Sequence, residues 1–478
     1  MQGLTQHDVR STFDDGLPSQ NTIDTAIIVG AGLAGLAAAY ELAKQGTRVT
    51  VLEAGARPGG RTWTYRHPFA DGLRTEAGAM TVTAQCHYTM HYLREMQLET
   101  EPSDLVDTDF SYLRNGIRIR PDQLTEHADS LGLQPHERHL TVADLNAHYV
   151  TKFNENIGPE LTAPTWTPTP DLLALDQISV RRTLEDRGAS AAAISLIEPL
   201  FLEMRGGELE SASTMAWARY ESGHRAFASA DAAWFKVKGG ADLLARALAD
   251  KVKDLVLYRK PVVRITQTEQ EAQVTFLDRD RLQTLTADRV IVTAPFSSLR
   301  RINLSMAGLS AAKHATIRRL RYSSVLRIFL QMRKKFWPEE RLMLSTDRPI
   351  GTVRDGTPRL PGPRKILECW LTGWPAQAAA DMSEEERINF ALTELEPIMP
   401  GARENFELGA SIAWDNEPYI AGAYILPELG HHELMAHTRT PEGRIHFAGE
   451  HTAFEPNGGS MNYALESSIR VLLELSSI

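Results

Sequence analysis

Residues 25–35 read Thr25-Ala26-Ile27-Ile28-Val29-Gly30-Ala31-Gly32-Leu33-Ala34-Gly35. The first five form an apolar, β-type run, glycines follow at Gly30, Gly32 and Gly35, and Leu36 to Gln45 has a helical composition. A phosphate-binding turn needs this order. Gly30 permits the tight turn, Gly32 lets a pyrophosphate approach the backbone, and Gly35 lets the helix pack on the strand, with the helix N-terminus facing negative charge. A second strand, Arg48 to Leu52, ends at Glu53, the distance at which a carboxylate accepts hydrogen bonds from a ribose. Glycines alone would suit an ordinary structural turn; strand, glycines, helix, strand and acid together point to a dinucleotide.

Further along, Gly59-Gly60-Arg61 brings glycines and a cation able to cover the pyrophosphate from its other side. NAD folds do not usually need this second clamp. At the far end, Ile445-His446-Phe447-Ala448-Gly449-Glu450 is a short strand closing on a carboxylate, followed by a turn at Gly458-Gly459 and a final helix from near Ser460. Such a helix N-terminus suits the pyrimidine end of an isoalloxazine, whose reduced anion its dipole and free N–H groups would stabilise. The expected ligand is therefore FAD rather than NAD.

If both ends of the chain serve one ligand, the FAD-binding domain is discontinuous. We expect it to comprise 23–98, 234–300 and 440–478, with 99–233 and 301–439 forming a substrate-binding domain. Glu99 to Ala230 reads as a helical insertion, with a helical stretch at Ala191 to Met204 and a Pro-rich loop at Pro164 to Pro170. Arg289 to Ala294 suits a buried strand. Strands around Ser323 to Met332, Lys365 to Thr372 and Phe406 to Trp414 would form a separate, more antiparallel sheet. Met1 to Thr22 is polar, carries Asp8, Asp14 and Asp15, and reads as a flexible arm rather than a secretory signal.

Composition narrows the partners. A chain of 478 residues exceeds one hydrophobic core. Its 42% hydrophobic and 23% charged residues are an ordinary globular balance. The net charge of -10 argues against a polyanion, so no nucleic acid is expected. Cys86 and Cys369 stand far apart without a C-x-x-C spacing, which indicates neither a disulfide framework nor a zinc knuckle and suits a reducing, cytoplasmic setting. No apolar stretch approaches the roughly 20 residues of a membrane span. His87 and His91 have the spacing of zinc ligands on a helix but lack the accompanying Glu, so no metal is expected. His431-His432 reads as solvated, and His451 as a loop-packing residue.

With these residues in view, the chain resembles the flavin-containing amine oxidase superfamily of monoamine, polyamine and L-amino-acid oxidases. The resemblance spans most of Thr25 to Leu475. It rests on the glycine loop, Glu53, Gly59-Gly60-Arg61, Glu76-x-Gly78-Ala79-Met80, Gly239-Gly240, Pro261-Val262-x-x-Ile265, Pro295, Phe336-Trp337, Gly422-Ala423-Tyr424 and Phe447-Ala448-Gly449-Glu450-His451-Thr452. It implies a two-domain, Rossmann-like (GR2-type) α/β fold with a discontinuous FAD domain and a mixed-sheet plus helical substrate domain. It also implies that Glu53 binds the adenosine ribose, Arg61 the phosphates, Val262 the adenine, Glu450 the ribityl side and the Met461 N–H a flavin carbonyl. Gly78, Ala79, Met80 and Ser460 would lie beside the cofactor.

Three departures bear on the chemistry. Where amino-acid oxidases usually carry a carboxylate-pairing Arg, this chain has Thr81, whose hydroxyl cannot form a bidentate pair. The strand that usually presents a Lys reads Leu326-Arg327-Ile328-Phe329-Leu330, and an arginine can hold a water or an anion but not act as a base. Of the two rings that flank the amine in monoamine oxidases, Tyr424 matches one and Ser460 stands at the other. Ala423 replaces the Cys of covalent relatives, so FAD should be non-covalent. We therefore expect Arg327 and Tyr424 in catalytic positions, Glu76 as a candidate acid or base, and Thr81, Tyr424 and Ser460 around the substrate. An ordinary carboxylate satisfied by amides is the plainer reading of Glu76. Trp217, Arg219 and Tyr220 lie where substrate selection usually occurs.

The activity that the resemblance implies is hydride transfer from the carbon next to nitrogen of an amine or amide to flavin N5, giving an imine or N-acylimine, with O2 reduced to H2O2; the expected substrate is a larger, natural-product-type molecule, with cyclisation to follow. A homodimer is the expected assembly. An ordinary L-amino-acid oxidase, a non-catalytic flavin scaffold and a C–C dehydrogenase are the alternatives. A scaffold would lose to its retained clamps, and a C–C dehydrogenase to the order of the motifs.

Overall fold

The computed structural model describes residues 4–17, 23–103, 105, 108–153, 168–227, 233–454 and 459–476. The apolar run Thr25–Val29 becomes the central strand of a five-stranded sheet whose order is Val256–Leu257, Arg48–Leu52, Thr25–Val29, Arg289–Val292, Ile445–Phe447. Every neighbouring pair is parallel. Such strands are covered on both faces, which is why they read as continuous apolar runs. Helix Leu33–Lys44 follows the glycine loop, starting earlier than the composition of Leu36 to Gln45 suggests. Its Ala34, Ala37, Ala38 and Ala39 are buried, and their small side chains let the closing helix Met461–Ser476 pack against it in the same core.

A second sheet has seven strands in the order Phe406–Ala413, Val325–Met332, Lys365–Thr372, Thr352–Asp355, Leu342–Thr346, Asp109–Arg114, Ile117–Ile119. It is antiparallel except where Leu342–Thr346 runs parallel to Asp109–Arg114. Side chains alternate across the sheet. Leu326, Ile328, Leu330, Leu367, Cys369 and Leu371 pack with Ala376, Ala379, Ala391 and Leu392 of helices Gly373–Ala380 and Glu384–Leu395. Arg327, Phe329, Glu368, Trp370 and Arg354 take the opposite face. Arg327 stands across from Trp370, and Phe329 and Arg354 flank Glu368 on either side.

Two expectations need correction. Residues 6–15, assigned to a flexible arm, form helix Gln6–Asp15, with a Thr5/Asp8 capping box and Val9 fully buried. Phe13 lies 4.8 Å from Tyr88 between ring centres. Val9 and Phe13 are one helical turn apart, an apolar pair easily lost among polar neighbours. The stretch 99–230 is also not uniformly helical. Asp109–Arg114 and Ile117–Ile119 form a hairpin at the edge of the seven-stranded sheet. Its turn is Asn115-Gly116, with φ of 53° and 77°, the left-handed pair that a two-residue hairpin requires. The helical core of this region joins Leu145, Leu184, Leu196 and Trp217, and helix Ala191–Arg205 extends the expected stretch by one residue. Pro164 to Thr167 of the Pro-rich loop lie outside the described residues, whereas Pro170 opens helix Pro170–Leu175 behind the Thr169 cap. No helix among the described residues is long and apolar enough to cross a membrane.

Candidate active site

The glycine loop is held by contacts that exclude side chains. Gly30 has φ of +111°, and a Cβ on Gly35 would stand 2.0 Å from the Gly30 carbonyl oxygen. A Cβ on Gly32 would meet nothing within 4 Å, so this backbone faces open space. Glu53 organises the turn as its acid, accepting from the Ala31 and Gly55 amides at 2.7 Å each. Burial pushes its carboxyl above the ordinary value against the pull of those amides. The second clamp sits on the first: the Gly59 amide donates to the Ala31 carbonyl at 2.8 Å.

Arg61 then turns inward, and its Nη1 donates to Glu450 Oε1 at 2.7 Å and to the Ala423 carbonyl at 2.5 Å. Glu450 is 5% exposed, and its Oε2 has no partner among the described residues. An orphaned carboxylate oxygen in a buried wall needs a hydroxyl or amide donor from a ligand. Gly78 is required beside it, because a Cβ there would stand 1.8 Å from the Arg61 carbonyl oxygen. Met461 heads the closing helix, where an amide has no intrahelical carbonyl to bond. Ser460 Oγ accepts from the Asn462 amide at 3.1 Å.

These groups share one cavity of about 1230 Å³. Gly30, Gly32, Glu53, Arg61, Gly78, Ala79, Met80, Thr81, Val262, Arg327, Tyr424, Glu450, Ser460 and Met461 all line it. Drug-sized ligands occupy roughly 300–1,000 Å³, so the space suits a dinucleotide together with a second molecule. An FAD therefore fits the residues present: a Cβ-free loop for the pyrophosphate, an acid at the ribose side, an orphaned acceptor at Glu450 and a helix N-terminus at Met461. Gly35 is not on the cavity surface; it acts through helix packing.

The family described as flavin containing amine oxidoreductase matches residues 33–471. The chain belongs to this family. The oxidoreductase is 28% identical to the putative L-amino-acid oxidase YobN of Bacillus subtilis (strain 168), over 100% of both chains. It is 28% identical to the L-amino-acid oxidase of Siganus canaliculatus, over 97% of this chain and 88% of that one. Among solved structures, cyclohexylamine oxidase from Brevibacterium oxydans IH-35A superimposes with a TM-score of 0.78 at 22% identity, covering 95% and 99% of the two chains. Wild-type putrescine oxidase bound to putrescine gives 0.74 at 24%, also over 95% and 99%. Those likenesses establish the two-domain α/β flavoenzyme fold, and FAD is the cofactor of this amine oxidoreductase.

The oxidoreductase places Glu76 outside this cavity, in a smaller pocket that it lines together with Met80, Thr81 and Arg354. Glu76 Oε2 accepts from Thr64 Oγ1 at 2.7 Å and Oε1 from the Ala241 amide at 3.0 Å. Burial pushes its carboxyl up to about 7, and its oxygens are met by the Thr64 hydroxyl and the Ala241 amide, as the plainer reading of this residue expects. His431, expected in solvent, is 6% exposed, and its Nδ1 accepts from the Glu428 amide at 3.2 Å. His451 is buried and packs 4.5 Å from the Phe296 ring. Tyr220 reaches the cavity, while Trp217 stays in the helical core.

Arg327 is 2% exposed. Its Nε donates to Glu368 Oε1 at 2.5 Å and its Nη1 to the Gly78 carbonyl at 3.1 Å. Burial pulls the guanidinium down to about 10, against the opposing pull of Glu368, which leaves it cationic at neutral pH. The strand reading did not foresee Arg354, Glu368 and Trp370. Glu368 interrupts the apolar Lys365–Thr372 strand, and a lone acid in a buried strand is a signal that cations stand beside it.

Proposed function

We propose that this oxidoreductase oxidises the carbon next to nitrogen in a natural-product-type amine or amide larger than a simple amine. The product would be an imine or N-acylimine that an internal nucleophile captures by cyclisation. The observation that carries this reading is the cavity of about 1230 Å³, which Thr81 and Ser460 line with short side chains alongside Tyr424. FAD, when bound, supplies the two-electron oxidant, accepting hydride at N5 and passing its electrons to O2 with release of H2O2. Gly30, Gly32, Glu53, Arg61, Val262, Glu450 and Met461 are the residues we assign to hold it, and the Ala423 methyl offers no thiol for a covalent link.

No lysine or histidine lines the cavity among the described residues, and Arg327 keeps its charge. Neither a lysine, a histidine nor Arg327 therefore supplies a base here, and in this reading the substrate nitrogen arrives neutral with its lone pair free. Tyr424 supplies one aromatic face for it. The test is peroxide release across common amino acids, simple amines, polyamines and larger cyclic amines. We expect only the larger substrates to turn over, and rapid turnover of any common L-amino acid would overturn the reading. That second reading, an ordinary L-amino-acid oxidase, draws support from the names of the two relatives and from Arg354 beside Arg327 on the cavity wall.

A further inference from the structure

Two guanidinium groups converge on a thioether. Arg354 Nη2 lies 2.8 Å and Arg327 Nη2 2.9 Å from Met80 Sδ, while the same arginines divide the two oxygens of the fully buried Glu368 between them. A thioether is a weak acceptor. Two buried cations thus share one carboxylate, and each spends a further donor on a group that answers it poorly, which is costly away from water. The buried Nε1 of Trp370, whose ring centre is 5.3 Å from the Arg354 guanidinium, has no partner at all among the described residues. An oxygen atom carried on Sδ would give these donors a strong acceptor where they now have a weak one.

Position brings the oxidant. Met80 lines the large cavity and also the smaller pocket beside it. Met343 lines both spaces as well, but among the described residues no guanidinium is hydrogen-bonded to its sulfur. Met306, 69% exposed, faces bulk water instead. The chain therefore carries its own comparisons, one for access to the cavity and one for access from solvent.

We propose that Met80 is a modification site, at which hydrogen peroxide released in the cavity converts the thioether to a sulfoxide whose oxygen Arg327 and Arg354 receive. The Sδ lone pair attacks one peroxide oxygen, the O–O bond breaks and an S–O bond forms. The departing hydroxide takes the proton of the transferred hydroxyl and leaves as water. Sulfur is oxidised by two electrons, peroxide is reduced by two, and no other reactant enters. The guanidinium edges act twice, first on the departing oxygen as charge develops there and then on the sulfoxide oxygen. The contacts they give up to do so are the weak ones to sulfur. Because the product is a polar side chain in place of an apolar one, turnover rewrites the surface beside Thr81. The inference rests on the oxidase reading only for the source of the peroxide and is independent of the substrate.

The test photoreduces the FAD-loaded enzyme without oxygen and reoxidises it with air in the dark, over repeated cycles, with catalase in solution. Peptide mass mapping then follows the gain of one oxygen atom at Met80, Met343 and Met306. Catalase is too large to enter the cavity, so Met80 should be oxidised while Met306 is spared. Met80 should lead Met343 by about tenfold, the factor that one charged hydrogen bond is worth. Arg354→Gln should shrink that lead several-fold, with the melting temperature showing that the fold is kept; the wild-type comparison with Met343 decides the matter even if this variant fails to fold. The cycled enzyme should melt no lower than before, because the new oxygen meets waiting donors, whereas a polar atom in an unprepared core destabilises. Oxidation of Met343 as fast as Met80, an undiminished lead in folded Arg354→Gln, or a lower melting temperature once Met80 is oxidised would each overturn the proposal. Added H2O2, without catalase, separates the two readings. Met80 oxidised ahead of Met343 by added peroxide but not by the cycles would keep the site and defeat the oxidase reading.

Discussion

On the dinucleotide side of the cavity the groups presented to a ligand are mainly backbone, bared by Gly30, Gly32 and Gly60. On the side we assign to the substrate they are side chains, Arg327, Arg354 and Trp370, from three strands of one sheet. The first kind of wall is local in sequence, because a turn and the helix after it must be written consecutively. The second is assembled by strand pairing between residues tens of positions apart. The difference teaches where a site can be read in advance: backbone recognition leaves a motif, and side-chain recognition leaves only an odd residue in each strand.

The largest expected effect breaks the side-chain wall. Glu368→Gln would leave two buried guanidiniums without their shared carboxylate, and losing the partner of a buried pair costs about 3–5 kcal/mol. Chemical denaturation of variant and wild type measures this. A loss below about 1 kcal/mol would show that solvent already neutralises the arginines. On the other wall, Gly35→Ala would place a methyl 2.0 Å from a backbone carbonyl oxygen, and the expected loss is about 3 kcal/mol, the upper end of ordinary overpacking. FAD content after gel filtration should fall with it. A folded variant with full FAD would mean that the loop can shift without losing its ligand.

Glu76 gives the pH dependence that sharpens the contrast. Its carboxyl is raised from 4.5 to about 7 by burial, so the folded protein holds a proton that the unfolded chain has lost. Stability from this group is fully present below about 4.5 and is lost as pH rises towards about 7. Glu76→Gln keeps the shape, stays neutral, and can serve Thr64 and Ala241 with its carbonyl and amide. The variant should melt like wild type at low pH and progressively higher than it as pH approaches neutrality. Parallel melting curves across that range would show that Glu76 is ionised in the fold.

Much of the parallel half was legible: Thr25–Val29, Arg48–Leu52 and the closing helix all lie at or within a few residues of where pattern places them. The antiparallel sheet was legible in its three longest strands. The hairpin at Asn115-Gly116 escaped because its strands are short and sit inside helical surroundings, although the Asn-Gly pair is itself a strong turn signal. Helix Gln6–Asp15 escaped because two apolar residues carry its contact with the core. In the site, the glycines and acids of the clamps could be named one by one. Arg354 could not, because nothing near Thr352-Val353-Arg354-Asp355 reveals that it pairs across the sheet with Glu368.

The most delicate prediction is Glu53→Ala, because Glu53 braces the loop and is also the acid we assign to the ribose. Its two oxygens already accept from the Ala31 and Gly55 amides, and a carboxylate has lone pairs left for ribose hydroxyls. The variant should therefore show two separable losses. Melting of the FAD-free protein reports the amide bonds, since no ribose is present to contribute. FAD affinity, measured by titrating the same apoprotein, should fall by about 1.5–3 kcal/mol, the range for hydrogen bonds to a charged acceptor. A lowered apoprotein melting temperature with unchanged FAD affinity would make Glu53 a loop brace alone, and the ribose would then have to be held by another group on the backbone-built wall.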